Sequence, residues 1–341
     1  MNRRTLLYAV STLPLAARAQ SPKIKIGQIG TQHSHAAGKM EAIRSLPDLY
    51  EVVGLAHADE KPGKDYDGLK RMSVEELLAF PGLQAVTVES TVQENAALAL
   101  KAIQAGKHVH LDKPGAIDHE EFKTMRLEAE KRGLTVQMGY MLRYNPAFQL
   151  MFRAVREGWF GEILEIDAMM GKLSNEASRK ELAQLEGGGM FELACHIMDA
   201  ALYVMGGKPK AVHAFSTPWK DDGFKDNQLA VLEYDKATVT IRCNHADPFG
   251  GPRRMFQVTG TKGGMRIEPL ESGKVTLNLS EAQSGYKKGT QSFQLEVPKS
   301  RYAAEFVDLA EVIRGKQALA WDAAHDIALH ETTLRASGAW K

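Results

Sequence analysis

Two short segments of this chain carry the groups needed to move a proton on and off a hydroxyl while hydride leaves the same carbon: a lysine, an imidazole and a carboxylate. The first, Lys107-His108-Val109-His110-Leu111-Asp112-Lys113-Pro114, sets a lysine and a proline just past an apolar run. The second, Gly187-Gly188-Gly189-Met190-Phe191-Glu192-Leu193-Ala194-Cys195-His196-Ile197-Met198-Asp199, sets Glu192 and His196 four residues apart behind a glycine turn. On a helix such a pair shares one face, and Asp199, three residues beyond His196, could orient the ring. An imidazole with an unperturbed pKa of about 6.5 suits proton transfer near neutrality. Each segment alone has a plainer reading, as a Lys-Pro surface turn or as a capped amphipathic helix with a buried histidine. Their combination argues for catalysis.

The elements that must position these groups alternate along the first half. Strand patterns cover 23–29, 50–56, 85–88, 108–111 and 135–138. Helical patterns lie between them, the first running from the Gly30 turn through Arg44 and others covering 94–105 and 120–132. This alternation predicts a parallel sheet covered by helices, with ligands bound beyond the carboxyl ends of the strands. Lys113 would then sit at that edge. After 161 the texture changes to consecutive strands with hairpin-like turns, which predicts a largely antiparallel open sheet with helices on one face and closing helices over 301–315 and 322–337. The expected fold is α/β: an N-terminal Rossmann-type parallel sheet domain over 22–140, then an α+β domain over 141–341.

The turn after the first strand reads Gly30-Thr31-Gln32-His33-Ser34-His35. Of the dinucleotide fingerprint only the first glycine is present; Gln32 stands where backbone approaches pyrophosphate, and His35 where helix packs on strand. A helix N-terminus still offers N–H groups to a phosphate, and Thr31, Gln32, His33 and Ser34 can add donors. After the second strand, His57 takes the place of the acidic ribose reader, with Asp59 close behind, and either could bond the 2′-hydroxyl. The lack of an arginine there favours NAD over NADP, while Lys61 and Lys64 keep NADP open. Ser90 and Thr91 read equally as cofactor contacts or as turn chemistry. His33, His35 and His57 lack a metal-type spacing with a carboxylate, so no metal is assigned.

The order of Lys113-Pro114, then Arg143-Tyr144-Asn145-Pro146, then the Glu192/His196 helix resembles the glucose-fructose oxidoreductase, inositol dehydrogenase and MocA (Gfo/Idh/MocA) family, over most of the chain. The resemblance implies that Lys113 hydrogen-bonds the reacting oxygen and stabilises developing alkoxide charge. It implies that His196 is the general base and that Glu192, where the family usually has aspartate, contacts or tunes it. Asp112 stands for the family's glutamate beside the cofactor, and Pro114 fixes its loop through a cis bond. Tyr140 and Arg143 are substrate or cofactor contacts, or junction packing, and Asp199 joins the substrate group. A carbohydrate substrate, NAD or NADP, and a homo-oligomer built on the second sheet follow from the same resemblance.

The net charge of +1 makes no case for nucleic acid or an acidic membrane surface. The two cysteines, Cys195 and Cys243, read as buried small hydrophobes. The start differs from the rest. Arg3-Arg4 precedes a short apolar stretch and Ala17-Arg18-Ala19, the pattern of a twin-arginine export signal over 1–19 whose apolar run is too short to span a membrane. The expectation is an exported, periplasmic, nicotinamide-dependent oxidoreductase acting on a hydroxyl of a sugar, polyol or glycoside, with its cofactor retained. Two alternatives stand beside it: a glycoside hydrolase or lyase using NAD transiently, and a non-catalytic nucleotide- or sugar-binding protein.

Overall fold

The computed structural model describes residues 21–60 and 63–340; the segment read as an export signal lies outside them. The first half folds as β1 (Ile24–Ile29), α1 (Ala36–Arg44), β2 (Tyr50–Ala56), β3 (Arg71–Met72), α2 (Val74–Leu78), β4 (Leu83–Val88), α3 (Val92–Gln104), β5 (His108–Leu111), α4 (His119–Lys131) and β6 (Val136–Met138). All six strands pair in parallel in the order β3-β2-β1-β4-β5-β6. The order reverses between β1 and β4, which opens a crevice at their carboxyl ends. Local chemistry sets the boundaries: Ser73 and Glu76 form a reciprocal capping box on α2, and the Asp118 side chain caps α4.

One boundary departs from expectation. The first helix begins at Ala36 rather than at the glycine turn, so Thr31 to His35 form a bend and a turn ahead of it, with the Ala36 N–H donating to the His33 carbonyl at 3.0 Å. Gly30 has φ +91°, and a Cβ there would lie 2.7 Å from the Ser90 nitrogen. The β1 turn therefore presses directly on the end of β4, and only glycine permits the approach.

The second half holds α5 (Pro146–Arg156), β7 (Ile163–Gly171), α6 (Glu176–Leu182), α7 (Cys195–Met205), β8 (Ala211–Ser216), β9 (Asn227–Glu233), β10 (Thr238–Asn244), β11 (Met255–Gly260), β12 (Gly263–Ile267), β13 (Lys274–Leu279), β14 (Gly289–Gln294), α8 (Ala303–Ile313) and α9 (Ala323–Ala336). Asn145 caps α5 and Pro146 occupies its first turn, as the Asn-Pro pair predicts. The eight strands order β14-β13-β12-β11-β7-β10-β9-β8. Every neighbouring pair is antiparallel except β7 and β10, which run side by side in the same direction. One face of the sheet is buried, as Ala230, Leu232, Val239, Ile241 and Cys243 show, and α5, α7 and α9 pack against it.

The closing helices reach back to the first sheet domain. Glu305 of α8 holds the buried Lys39 of α1 at 2.5 Å, the Tyr50 hydroxyl donates to the Phe306 carbonyl at 2.6 Å, and Asp326 of α9 meets Arg126 of α4 at 2.8 Å.

Candidate active site

Lys113 follows β5 at the carboxyl edge of the parallel sheet, and the Lys113–Pro114 bond is cis. The lysine is 2% exposed. Its Nζ donates to the Glu192 carbonyl at 2.8 Å and stands 3.5 Å from the Glu192 carboxylate. The other carboxylate oxygen accepts from Lys172 at 3.1 Å, and His245 Nε2 lies 3.8 Å from it. Burial would raise the Glu192 pKa, but Lys113, Lys172 and His245 together hold it well below the usual carboxylate range. Burial pulls Lys113 down, but Glu192, Cys195 and Asp112 together outweigh it, so the ammonium titrates above its ordinary value. The pair is charged in both members.

Lys172 and His245 come to this place because β7 and β10 run parallel. Asn244 pairs with Gly171, so the residues that follow each strand emerge at the same edge. The glycine turn lets the start of the next helix close on them: a Cβ at Gly189 would lie 2.6 Å from the His245 ring. Sequence analysis missed His245; its signal was a histidine just past an alternating strand.

The helix over the site does not start as expected. Met190–Ala194 forms a π-helical turn, and regular α-helix begins only at Cys195. Glu192 therefore turns to the two lysines. His196 is 2% exposed, its Nδ1 has no hydrogen-bond partner, and its ring meets Tyr140 edge-on at 5.8 Å between centroids. Burial lowers its pKa well below the ordinary value, and the charge of Lys113 lowers it further. This corrects the expectation of an unperturbed imidazole: the ring stands neutral, as a base requires, deep into the acid range.

Asp199 does not orient His196. Arg143 donates to both its oxygens, at 3.0 and 2.8 Å, and His325 Nε2 lies 2.8 Å from one of them. Arg143 is fully buried, also donates to Asp326 at 2.6 Å, and lies over the rings of Tyr140 and Trp321, each at 4.8 Å. Arg143 thus takes the junction-packing reading and draws Asp199 out of the substrate group, in a buried ionic knot tied to α4 through Asp326 and Arg126. Tyr140, also buried, stands edge-on to His196 beside this knot.

At the crevice, Thr31 Oγ1 donates to Asp59 at 2.9 Å, and the Gln32 amide bonds the His57 carbonyl and Asp59, both at 3.1 Å. Asp59 thus lies beside the turn, where an acidic ribose reader belongs. His57 adopts a left-handed backbone, φ 51°, and its ring turns to Glu94 at 3.2 Å, away from that role. The Ser90 and Thr91 hydroxyls both donate to Glu94, at 2.8 and 2.9 Å, which is turn chemistry. Asp112 is fully buried against His33 and His35; Ser34 is exposed on the same turn. Cys195 is buried and its thiol is pushed up to about 12 by burial, so it is an inert hydrophobe as expected.

Residues 24–140 match the oxidoreductase family with an NAD-binding Rossmann fold, and residues 148–266 match the GFO/IDH/MocA C-terminal domain. The chain belongs to the Gfo/Idh/MocA oxidoreductase family. Among curated relatives, scyllo-inositol 2-dehydrogenase (NAD(+)) of Bacillus subtilis is 26% identical over 254 residues, covering 72% of each chain. Myo-inositol 2-dehydrogenase of Thermotoga maritima is 23% identical over 273 residues, covering 77% of this chain and 79% of its own. The solved aldose-aldose oxidoreductase of Caulobacter crescentus, complexed with glycerol, superposes with a TM-score of 0.77 at 20% identity, covering 93% and 98%. In this Gfo/Idh/MocA chain, the strand-end lysine, the neutral histidine and the switch-point crevice fit a nicotinamide cofactor. A Cβ at Gly30 would crowd the end of β4, and Asp59 flanks the same turn.

Proposed function

We propose that this chain oxidises or reduces a hydroxyl-bearing carbon of a sugar or polyol, with NAD held along the β1 turn and the ends of β4 and β5. The observation that carries the reading is the Lys113–Glu192 contact, which joins the carboxyl edge of the nucleotide-binding sheet to the helix bearing His196. Its inositol- and sugar-acting relatives support the substrate class. The nicotinamide, when bound, supplies the hydride acceptor. Lys113, its ammonium held above its ordinary pKa by its neighbours, donates to the reacting oxygen and steadies its negative charge. His196, neutral and buried, takes the hydroxyl proton. Glu192 keeps Lys113 charged and fixes its position through its carbonyl. Lys172 and His245 line the same edge and offer donors to neighbouring hydroxyls of a polyol.

Export by a twin-arginine signal at Arg3-Arg4 and retention of the cofactor belong to the same proposal, supported by the pattern of residues 1–19. So does a homo-oligomer through the open face of the eight-stranded sheet. Among the described residues no helix is long and apolar enough to cross a membrane.

The test is direct. Nucleotide released from denatured protein is identified by mass spectrometry, and a panel of sugars, polyols and aryl glycosides is followed by nicotinamide absorbance and by free aglycone. Absorbance change with a polyol or sugar supports the proposal. Absence of nucleotide binding on titration sinks it, and aglycone release without net absorbance change transfers it to a redox-neutral hydrolase.

A further inference from the structure

At the carboxyl ends of β1, β4 and β5, four metal-ligating side chains converge that the proton-transfer chemistry leaves unused. His33 Nδ1 and His35 Nδ1 lie 3.2 and 3.1 Å from the same oxygen, Oδ2 of Asp112. The three donor atoms all lie within 4.8 Å of one another. A tetrahedral zinc ion with ligands at about 2.0–2.1 Å holds its donor atoms about 3.3 Å apart. The spacing of the cluster is close to that of a ligand set.

A second observation points the same way. Glu89 is fully buried, neither of its carboxylate oxygens has a hydrogen-bond partner, and one lies 4.0 Å from His33 Nδ1. A buried carboxylate without a partner is costly unless a proton or a cation neutralises it, and a cation also serves Asp112 and the two histidines beside it. The charges agree: Glu89, Asp112 and Glu305 are buried together, and Lys39, the buried ammonium among them, is already held by Glu305. His33 Nδ1 also accepts the His35 backbone N–H at 3.3 Å. That sets an acceptor nitrogen against an acceptor carboxylate, an opposition that an ion between them resolves. The two rings are 12% and 16% exposed in their side chains, so the cluster is open on the crevice side and sealed on the sheet side.

We propose that His33, His35, Asp112 and Glu89 bind one divalent first-row transition ion, with zinc the best match to this donor set. The ion ties the β1 turn to the ends of β4 and β5. It does so where His35 replaces the glycine that would otherwise pack that turn, so the irregular dinucleotide turn gains a metal clasp.

The experiment uses the full chain, stripped with chelator and titrated with Zn²⁺ alone, and with Co²⁺ as a visible probe. The expected result is one ion per chain by elemental analysis after gel filtration, with the ligand-field bands of low-symmetry Co²⁺. Both are lost in His33→Ala and in His35→Gln, whose circular dichroism matches the parent. Asp112→Asn serves as a third variant where it folds. A folded parent that takes up only a small fraction of an equivalent overturns the proposal, as does unchanged uptake by both histidine variants. NAD binding is titrated on the metal-free protein in parallel. Protein that binds NAD but no ion refutes the metal site alone, and protein that binds the ion but no NAD refutes the cofactor reading alone.

Discussion

The Lys113 ammonium donates to the main-chain carbonyl of Glu192 at 2.8 Å and lies 3.5 Å from its carboxylate. A strand-end lysine of one domain is thereby fixed by the first turn of a helix in the other. The carbonyl holds the position and the carboxylate holds the charge. Glu192 in turn is clasped from its far side by Lys172, so the triplet Lys113–Glu192–Lys172 carries one net positive charge at the place proposed for the reacting oxygen.

Lys113→Met removes that charge while keeping the stem. The expected loss is about 10²–10³-fold in kcat, the scale of removing one preorganised donor to a developing oxyanion. Fluorescence titration should show NAD binding within a few-fold of the parent. Equal losses in kcat and in NAD affinity would assign Lys113 to cofactor binding instead.

His196→Asn should lower kcat by about 10²–10⁴-fold. In the parent, the acid limb of the kcat/KM profile should fall well below pH 6.5. Burial and Lys113 depress the imidazole pKa, so the basic form persists until the pH drops through that lowered value. An acid limb at or above 6.5 contradicts the assignment.

Breaking the buried knot is a test of stability rather than of chemistry. Arg143→Ala leaves Asp199 and Asp326 without their shared guanidinium. The expected cost is about 3–5 kcal/mol, that of a buried charge stripped of its partner. Urea denaturation monitored by circular dichroism measures it. A change below about 1 kcal/mol would show that the knot is dispensable.

Acid should unfold the protein early. His245 and His330 are both lowered to about 4 by burial, and His196 is lowered well below its ordinary value. Between about pH 6.5 and 4 the unfolded chain binds protons at these sites and the native chain does not, so stability falls as pH falls. Each group contributes a slope of about 1.4 kcal/mol per pH unit in that window. Thermal melts at pH 7, 6 and 5 should show a progressive drop in Tm, and a flat profile would refute the burial argument.

Gly30→Ala tests the approach of β1 to β4. The residue has φ +91°, and its Cβ would stand 2.7 Å from backbone of Ser90 that cannot yield as a side-chain tip can. A cost of about 1–3 kcal/mol is expected from the strained backbone, read as a lowered denaturation midpoint together with weakened NAD binding.

The two-residue β3 was too short to leave a pattern, but the alternation of strand and helix patterns along the first half was enough to place five of the six strands and the lysine at their edge, because each strand is a local pattern and parallel order follows from the helices between. The same was true of the sheet that follows and of the helix start at Asn145-Pro146. The partners of the charged groups were not legible. The spacing of His196 and Asp199 suggests a pair, but Asp199 belongs to Arg143, 56 positions earlier, through a contact that no periodicity encodes. The π-helical turn escaped for a related reason: its residues read as ordinary helix, and the widening turns Glu192 toward lysines supplied by two distant strand ends. His245 was invisible until β10 was seen to run beside β7. The crevice turn was misjudged because a fingerprint with one glycine left no local cue for where the helix would begin.

The ion pair between Lys39 and Glu305 spans 266 positions of chain. Synthesis runs from the amino end, so the nucleotide-binding sheet emerges with its buried ammonium uncompensated, and α8 arrives about nine tenths of the way along the sequence. The first domain therefore cannot reach its finished form before α8 is available. Its core is sealed only once α8 has been made and has docked Glu305 onto Lys39.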